Sequence, residues 1–410
     1  MKRVLLVCKS KVMENLGVMY LSAVVKQAGG ACKIVDIEHA EEIALKWKPD
    51  IIGYSIMTGD QGKFEALNAR IRRRVICQSI VGGPHPTFFK SDCDWANVVI
   101  QGEAEQVIAD LMQTGLKFPD INAYPYPDRV DFPGMKIRDF ITTRGCPYNC
   151  SYCYNQKWAE LFPGTPRVQT RKVDNVIREI NEVDPEFVYF QDSCFGLSMK
   201  WLREFSVQYR KDINVPYHCH LRPTQVDEER VELLAESGCM SVRIALESAS
   251  ERLRHMMNRK NVRHEDVLRA VRLLKGWGIK LMVQNIIGMP TATIEEDLET
   301  LEFNIRCKPA YSWVSIFMPY PGTVLGDMCK KKGWYPGDYS DLADNFFDTS
   351  YLDITWQYRE QLECLQKVFA LCVENQYLPS VKELTHKNLP KLVHKVMRKQ
   401  GDCRLYGNIL

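Results

Sequence analysis

The sequence has almost no charge imbalance: 54 lysines and arginines stand against 51 aspartates and glutamates, a net charge of +3 over 410 residues. A dedicated nucleic-acid binder carries a basic footprint that this balance lacks, so a small molecule or a peptide is the expected substrate. The sequence also lacks any apolar run long enough to span a bilayer. Its opening residues, Met1-Lys2-Arg3-Val4-Leu5-Leu6-Val7, are too short a run for a signal peptide, and a cytoplasmic location is expected. Internal repeats and low-complexity tracts are absent, and no GxGxxG follows a strand-like run, which weakens a dinucleotide-binding reading. Cysteine is not scarce, at 15 residues, but most are scattered singly, and in a reducing compartment they argue against a disulfide framework. The informative ones are those that cluster.

Hydrophobic residues make up 45% and charged residues 26%, the composition of a compact chain. The length exceeds what one core organises, so two α/β domains and an appendage are expected. Residues 1–115 alternate apolar runs (Val4–Cys8, Cys32–Asp36, Ile51–Ser55, Ile76–Val81, Val98–Ile100) with helical periodicity, such as Leu16 to Ala28 before Gly29-Gly30. That pattern predicts a Rossmann or flavodoxin-like domain with a parallel sheet. In residues 116–136 the periodicity fails around Pro119, Pro125, Pro127 and Pro133, the mark of an interdomain linker. A second βα series fills residues 137–333, with strands near 137–142, 187–190, 215–219, 241–245, 280–285 and 312–317, and predicts a partial, open (β/α)6 TIM barrel. Residues 334–410 read as a C-terminal helical cap with a basic, solvated end.

The strongest signal follows the first strand of the second series: Thr142-Thr143-Arg144-Gly145-Cys146-Pro147-Tyr148-Asn149-Cys150-Ser151-Tyr152-Cys153. Thiolates spaced by three and then two residues wrap one cuboidal cluster from a single loop, and Gly145 and Pro147 keep that loop from becoming a helix. A fourth local cysteine is missing, so one metal position stays open, and open positions mark chemistry rather than structure. The alternative is a zinc site that borrows Cys194 or Cys219.

The loop resembles the CxxxCxxC signature of the radical S-adenosylmethionine (SAM) superfamily, including an aromatic, Tyr152, before the third cysteine. The resemblance covers residues 137–320. It implies that Cys146, Cys150 and Cys153 bind three irons of a 4Fe-4S cluster and that SAM chelates the fourth. An electron, from a donor such as flavodoxin or ferredoxin, would then cleave SAM to methionine and a 5′-deoxyadenosyl radical that abstracts a substrate hydrogen. By the same resemblance Asp192 lies where the SAM amino group is held, Glu247 and Ser248 match the fourth-strand motif that touches the ribose and methionyl groups, and Arg259 supplies a cation to the carboxylate. Arg222 and His220 end the third strand. Gly288, in Ile286-Ile287-Gly288-Met289-Pro290, matches a backbone turn beside the adenine, while Thr291-Ala292-Thr293 departs from the commoner Gly-Glu-Thr. Each has a structural alternative: caps or ion pairs for Asp192 and Glu247, solvent for Arg259, a backbone partner for His220.

In a doubly wound sheet, ligands bind beyond the carboxyl ends of the strands. The loops there, Ser55-Ile56-Met57-Thr58-Gly59 and Gly82-Gly83-Pro84-His85-Pro86, together with Gly102-Glu103, resemble the cobalamin-binding domain of one branch of these enzymes. Ser55 to Met57 and Gly82-Gly83 fall on its nucleotide-tail elements, and Met57 and Thr58 lie near the place expected for the lower face of cobalt. The DxHxxG element is replaced by Cys8-Lys9-Ser10-Lys11, so no histidine of that loop is expected on cobalt. His85, between two prolines, is expected to fix a loop. The alternative is a domain that serves only as a platform. With both cofactors, the resemblance implies methyl transfer to an unactivated carbon or to phosphorus, with Tyr320 and His220 as candidate catalytic groups near the barrel mouth. Cyclisation or rearrangement is the second expectation, a methylthiotransferase the third, and a non-catalytic iron-sulfur protein the last.

Overall fold

A computed structural model describes residues 1–397; the end of the basic C-terminal stretch lies outside the described residues. By compactness the chain divides into two units. One comprises Met1–Phe140, Leu161–Glu186 and Asp338–Asp344; the other comprises Ile141–Glu160, Phe187–Gly337 and the chain from Asn345 onward.

The first unit holds a five-stranded sheet of β1 (Arg3–Cys8), β2 (Ala31–Asp36), β3 (Ile51–Ser55), β4 (Gln78–Gly82) and β5 (Val98–Val99), in the order β2-β1-β3-β4-β5. All its pairings are parallel, as expected for strands that read as unbroken apolar runs because helices cover both faces. β4 begins two residues later than its hydrophobicity suggests, since Ile76 is fully exposed. The helix Leu16–Gln27 starts where the Asn15 side chain accepts the Val18 N–H, and it stops before Gly29 at φ +76°. Segment 116–136 forms no helix or strand, yet Phe132 is buried in the first core, with Leu116, Phe118 and Met135 packed against it. Arg129 adds ion pairs to Glu14 and Glu179. Prolines deny this segment a period without denying it contacts.

The barrel sheet has six strands in reverse chain order: Tyr311–Ile316, Lys280–Ile287, Cys239–Glu247, Tyr217–Leu221, Phe187–Phe190 and Ile137–Phe140. The recorded pairings from Phe187–Phe190 through Tyr311–Ile316 are all parallel. The α/β fold class expected from the sequence is therefore observed. Side chains alternate: 242, 244 and 246 are buried, while 241, 243 and 245 are only half-buried, and strand Lys280–Ile287 repeats the pattern. The buried set packs against helices; the other set faces the barrel interior. A cluster of Phe190, Phe195, Phe205, Tyr209 and Tyr217 fills one outer layer, each ring contributing about 1.5–3 kcal/mol of burial. Helix Trp356–Glu374 buries Leu362, Leu365, Val368 and Phe369 together with Val314 and Ile316 of the last strand.

Candidate active site

The cysteine loop is held from several sides before any ligand is considered. At its start, the Thr142 backbone N–H and hydroxyl donate to Oδ1 of Asp192 at 3.1 and 2.8 Å. Burial pushes the Asp192 carboxyl up to about 6, and the Thr142 donors oppose that rise. Gly145 takes φ +90°, which turns the chain into the loop. In its middle, Ser151 N–H and hydroxyl donate to the carbonyls of Met257 and Met256 at 3.0 and 2.7 Å, and the Asn258 amide donates to the Asn149 carbonyl at 2.7 Å. Ser151 also accepts the Leu325 N–H at 2.8 Å. The loop therefore rests on the turn after helix Glu251–Met256, whose N-cap is Ser250.

Cys150 is 8% exposed, and Cys146 and Cys153 are half-buried. Two guanidinium groups converge on the Cys150 sulfur: Nη1 of Arg222 and Nη1 of Arg259 each lie 3.6 Å away. Arg222 also stacks over the Tyr148 ring at 4.1 Å and donates to Asn261 at 2.8 Å. The Asn155 amide donates to the Cys153 sulfur at 3.5 Å. Cys194 lies beside Cys146, and Cys219 lies beside Cys239. Among the described residues no three cysteine, histidine or acidic side chains converge tightly enough to chelate one metal ion.

Around this loop three buried polar atoms have no partner among the described residues: Nε of Arg222, Nε of Arg259 and Oε2 of Glu247. A buried unsatisfied polar atom costs about 1–3 kcal/mol. Three such atoms beside three thiols fit a polar ligand that supplies both donors and acceptors, as the amino acid end of SAM does, on a thiolate-bound cluster whose negative charge the two arginines offset. Glu247 takes φ +68° where the pairing with strand Lys280–Ile287 shifts register. Its Oε1 accepts the Tyr152 hydroxyl at 2.7 Å. Burial pushes the Glu247 carboxyl above its ordinary range, partly countered by Arg259 and by that hydroxyl.

The other residues singled out in the barrel are placed as follows. Ser248 is buried and receives the Ser250 N–H at 3.2 Å. Gly288 has φ +68°, and a Cβ there would lie 2.5 Å from Leu362. Tyr320 packs against Tyr154 with ring centroids 5.6 Å apart. His220 contacts Tyr189, Arg243 and the Asp192 carbonyl. Arg243, missed in the sequence, was detectable as a cation inside an otherwise apolar strand at the inward parity.

In the first unit the two glycine-bearing loops are joined. Ile56 N–H donates to the Gly82 carbonyl at 2.9 Å and His85 N–H to the Ile56 carbonyl at 3.0 Å. Gly83 has φ +103°, and a Cβ there would lie 2.9 Å from both Ile56 N and O. The Thr58 hydroxyl sits 3.3 Å from Nδ1 of the fully buried His85, whose Nε2 faces Asp92 at 3.6 Å. These contacts hold the loop with Ser55 half-buried and Met57 55% exposed at its tip. Gly102, at φ +82°, donates its N–H to the Thr87 hydroxyl oxygen and lies under Phe162; Glu103 accepts from Tyr124 and Gln169. Lys9, standing in the region of the absent DxHxxG, pairs with Asp60 and Asp344. An open cavity of about 540 Å³ adjoins Gly59 and Asp92. Gly82, whose Cβ would meet only Ile100 at 3.9 Å, and the exposed Met57 leave an open face that fits a bulky ligand approaching the backbone.

Comparison with known proteins agrees with both halves. Residues 140–303 match the radical SAM superfamily and residues 2–112 match the B12 binding domain. An uncharacterized methyltransferase of Pyrococcus horikoshii is 24% identical over 367 residues, covering 76% of this chain and 77% of its own. The anaerobic magnesium-protoporphyrin IX monomethyl ester cyclase of Rubrivivax gelatinosus is 25% identical over 365 residues, covering 75% and 65%. The structure of the radical SAM methyltransferase TsrM from Kitasatospora setae, with cobalamin and a [4Fe-4S] cluster bound, shares the fold at a TM-score of 0.67 and 18% identity, over 81% of this chain and 75% of that one.

Proposed function

Because the chain belongs to the radical SAM enzymes that carry a cobalamin-binding domain, we propose that it methylates an unactivated carbon or phosphorus centre of a small molecule or peptide. The observation that carries this reading is the convergence of Arg222 and Arg259 on Cys150, with Tyr152 and Glu247 beside it. In this reading Cys146, Cys150 and Cys153 hold the 4Fe-4S cluster. Arg222 and Arg259 balance its charge. Glu247, fixed by Tyr152, receives the polar end of SAM, with Ser248 and the Gly288 turn flanking the nucleoside, while Asp192 holds the start of the loop. Ser55, Met57, Thr58, Gly82, Gly83, Gly102 and Glu103 hold cobalamin within residues 1–115. When bound, the cluster and SAM supply radical hydrogen abstraction, and cobalamin supplies a methyl donor. Tyr320 and His220 remain the candidates for contact with the substrate, and residues 334–410 cap the barrel of residues 137–333 beyond the linker at 116–136.

A second reading, ring closure or rearrangement with the same cofactors, is supported by the match to the cyclase of Rubrivivax gelatinosus at an identity equal to that of the methyltransferase within one percent. A reducing protein such as flavodoxin or ferredoxin would deliver the electron. No two cysteines among the described residues are joined in a disulfide, which supports a cytoplasmic location; no helix among those residues is long and apolar enough to cross a membrane. The test is anaerobic reconstitution with iron, sulfide and hydroxocobalamin. About four irons per chain, retained corrinoid absorbance and release of both 5′-deoxyadenosine and S-adenosylhomocysteine from SAM support the methyltransferase. Loss of the corrinoid on desalting, or zinc in place of iron, overturns it.

A further inference from the structure

Deeper in the barrel than Glu247, the half-buried face of the sheet carries a second polar group of residues. Arg243 lies four residues before Glu247 on the same strand, roughly 13 Å along it at about 3.3 Å per residue. Its Nη2 is 2.9 Å from Nδ1 of His220. The same nitrogen is 3.1 Å from the Asp192 carbonyl, while Nε2 of His220 is 3.1 Å from the Tyr189 hydroxyl. His218 stacks on Tyr189 with centroids 4.6 Å apart and sets its Nδ1 2.7 Å from the Ser241 hydroxyl. All these side chains belong to the second unit.

Two features of this group are incomplete. The first is Arg243, which has no carboxylate within ion-pair distance among the described residues, although the charge of Glu247 reaches it. Its one hydrogen bond goes to a nitrogen that the Asp192 carbonyl also faces. A guanidinium only donates, so Nδ1 must offer a lone pair to Arg243; the carbonyl needs a proton on that same atom. One nitrogen cannot serve both, so the contact to Arg243 is a placeholder. The second is His218, which is 6% exposed and whose Nε2 has no hydrogen-bond partner among the described residues. Burial keeps both histidines below their ordinary range, His218 at about 3, so Arg243 carries the positive charge of the group. Met282 and Trp313, at the half-buried parity of the next two strands, supply an apolar wall.

We propose that Arg243 and His218, held in place by His220 and Tyr189, form a binding subsite for an oxyanion of the substrate, a carboxylate or a phosphoryl group, whose apolar remainder lies toward Met282 and Trp313. This rests on the function proposed above and narrows its substrate class. A bound oxyanion takes the guanidinium in bidentate fashion and fills the vacant position at His218. His220 Nδ1 is then released to donate to the Asp192 carbonyl. The carboxylate of SAM is better placed at Arg222 and Arg259, whose guanidinium groups reach the Cys150 sulfur; Arg243 pairs in register with His220, two residues before Arg222 and so roughly 7 Å deeper along the sheet.

The probes are benzoate and phenylphosphonate, with benzamide as the uncharged control, titrated calorimetrically into the anaerobically reconstituted full chain. SAM binding is followed in parallel by equilibrium dialysis. At least one anion is expected to bind ten or more times tighter than benzamide, and which anion binds tighter separates a carboxylate from a phosphoryl substrate. Arg243→Gln is expected to weaken the anion at least tenfold, Arg243→Lys to restore part of that loss, and SAM affinity to stay within twofold in both. Equal binding of benzamide, unchanged anion binding in Arg243→Gln, or loss of SAM binding with the anion overturns the subsite. If Arg243→Gln does not fold, the anion-to-benzamide ratio on the unmodified chain decides alone. A chain that takes up neither iron nor SAM refutes the function; one that takes up both without preferring either anion to benzamide refutes the subsite alone.

Discussion

The hydroxyl of Tyr358 donates to Oδ2 of Asp297 at 2.6 Å, tying helix Trp356–Glu374 to helix Ile294–Cys307. The same carboxyl accepts the Gly288 N–H at 3.2 Å, so it also fixes the turn after the fifth barrel strand. Burial pushes Asp297 up to about 7, and the donors from Tyr358 and Gly288 only partly offset it. The native chain therefore binds this proton more tightly than the unfolded chain, whose aspartate titrates near about 3.9. The stability that protonated Asp297 contributes is fully present below that value and is lost as pH rises to about 7.

Asp297→Asn removes this titration. In urea unfolding across pH 4 to 8, the wild type is expected to lose stability relative to the variant between about pH 4 and pH 7, with no further divergence above. Asp192, also raised, is common to both proteins and cancels in the difference. Parallel curves would refute the assignment.

Tyr152→Phe leaves both oxygens of Glu247 without a partner while keeping the cysteine loop intact. A hydrogen bond to a charged group contributes about 1.5–3 kcal/mol, so SAM affinity or 5′-deoxyadenosine release should fall about ten- to hundredfold. Iron should stay at about four per chain. Loss of iron in parallel would instead give Tyr152 a role in holding the loop.

Thr291 occupies φ +61°, a left-handed backbone conformation that costs a non-glycine residue about 1–2 kcal/mol. Two groups of Arg252 bond it, at its hydroxyl and its carbonyl, at an exposed site. Thr291→Gly loses only the first of these. The expected result is a net gain of about 1 kcal/mol in unfolding free energy. A destabilised variant would mean that the Arg252 contact outweighs the strain.

The fold and the cysteine loop were legible because both are local. Apolar runs of fixed period gave the strands, and three cysteines within eight residues gave the loop. What the sequence withheld depends on chain segments meeting across strands. Nothing near Arg222 or Arg259 says that their Nη atoms reach the same sulfur, since they lie 72 and 109 residues from Cys150. Arg243 is visible in the sequence as a cation within a strand, but its meaning comes from His220 on the neighbouring strand. In the proline-rich segment, lost periodicity was informative about regular structure and silent about burial, as Phe132 illustrates.

Gly82 and Gly83 are adjacent yet predict opposite consequences. A methyl group at Gly83 would sit 2.9 Å from Ile56 backbone atoms, at a φ of +103° that alanine rarely adopts. Gly83→Ala must therefore shift the joined loops, and both thermal stability and corrinoid retention should fall. At Gly82 the added carbon meets only Ile100 at 3.9 Å, an ordinary contact, and the backbone there is not left-handed. Gly82→Ala should fold with an unchanged melting temperature. If cobalamin approaches the backbone at this point, the methyl group obstructs it, and reconstituted Gly82→Ala should retain at least tenfold less corrinoid while keeping its iron. Wild-type retention in Gly82→Ala would mean that the ligand does not lie against this turn, and would remove Gly82 from the proposed site without touching the cysteine loop.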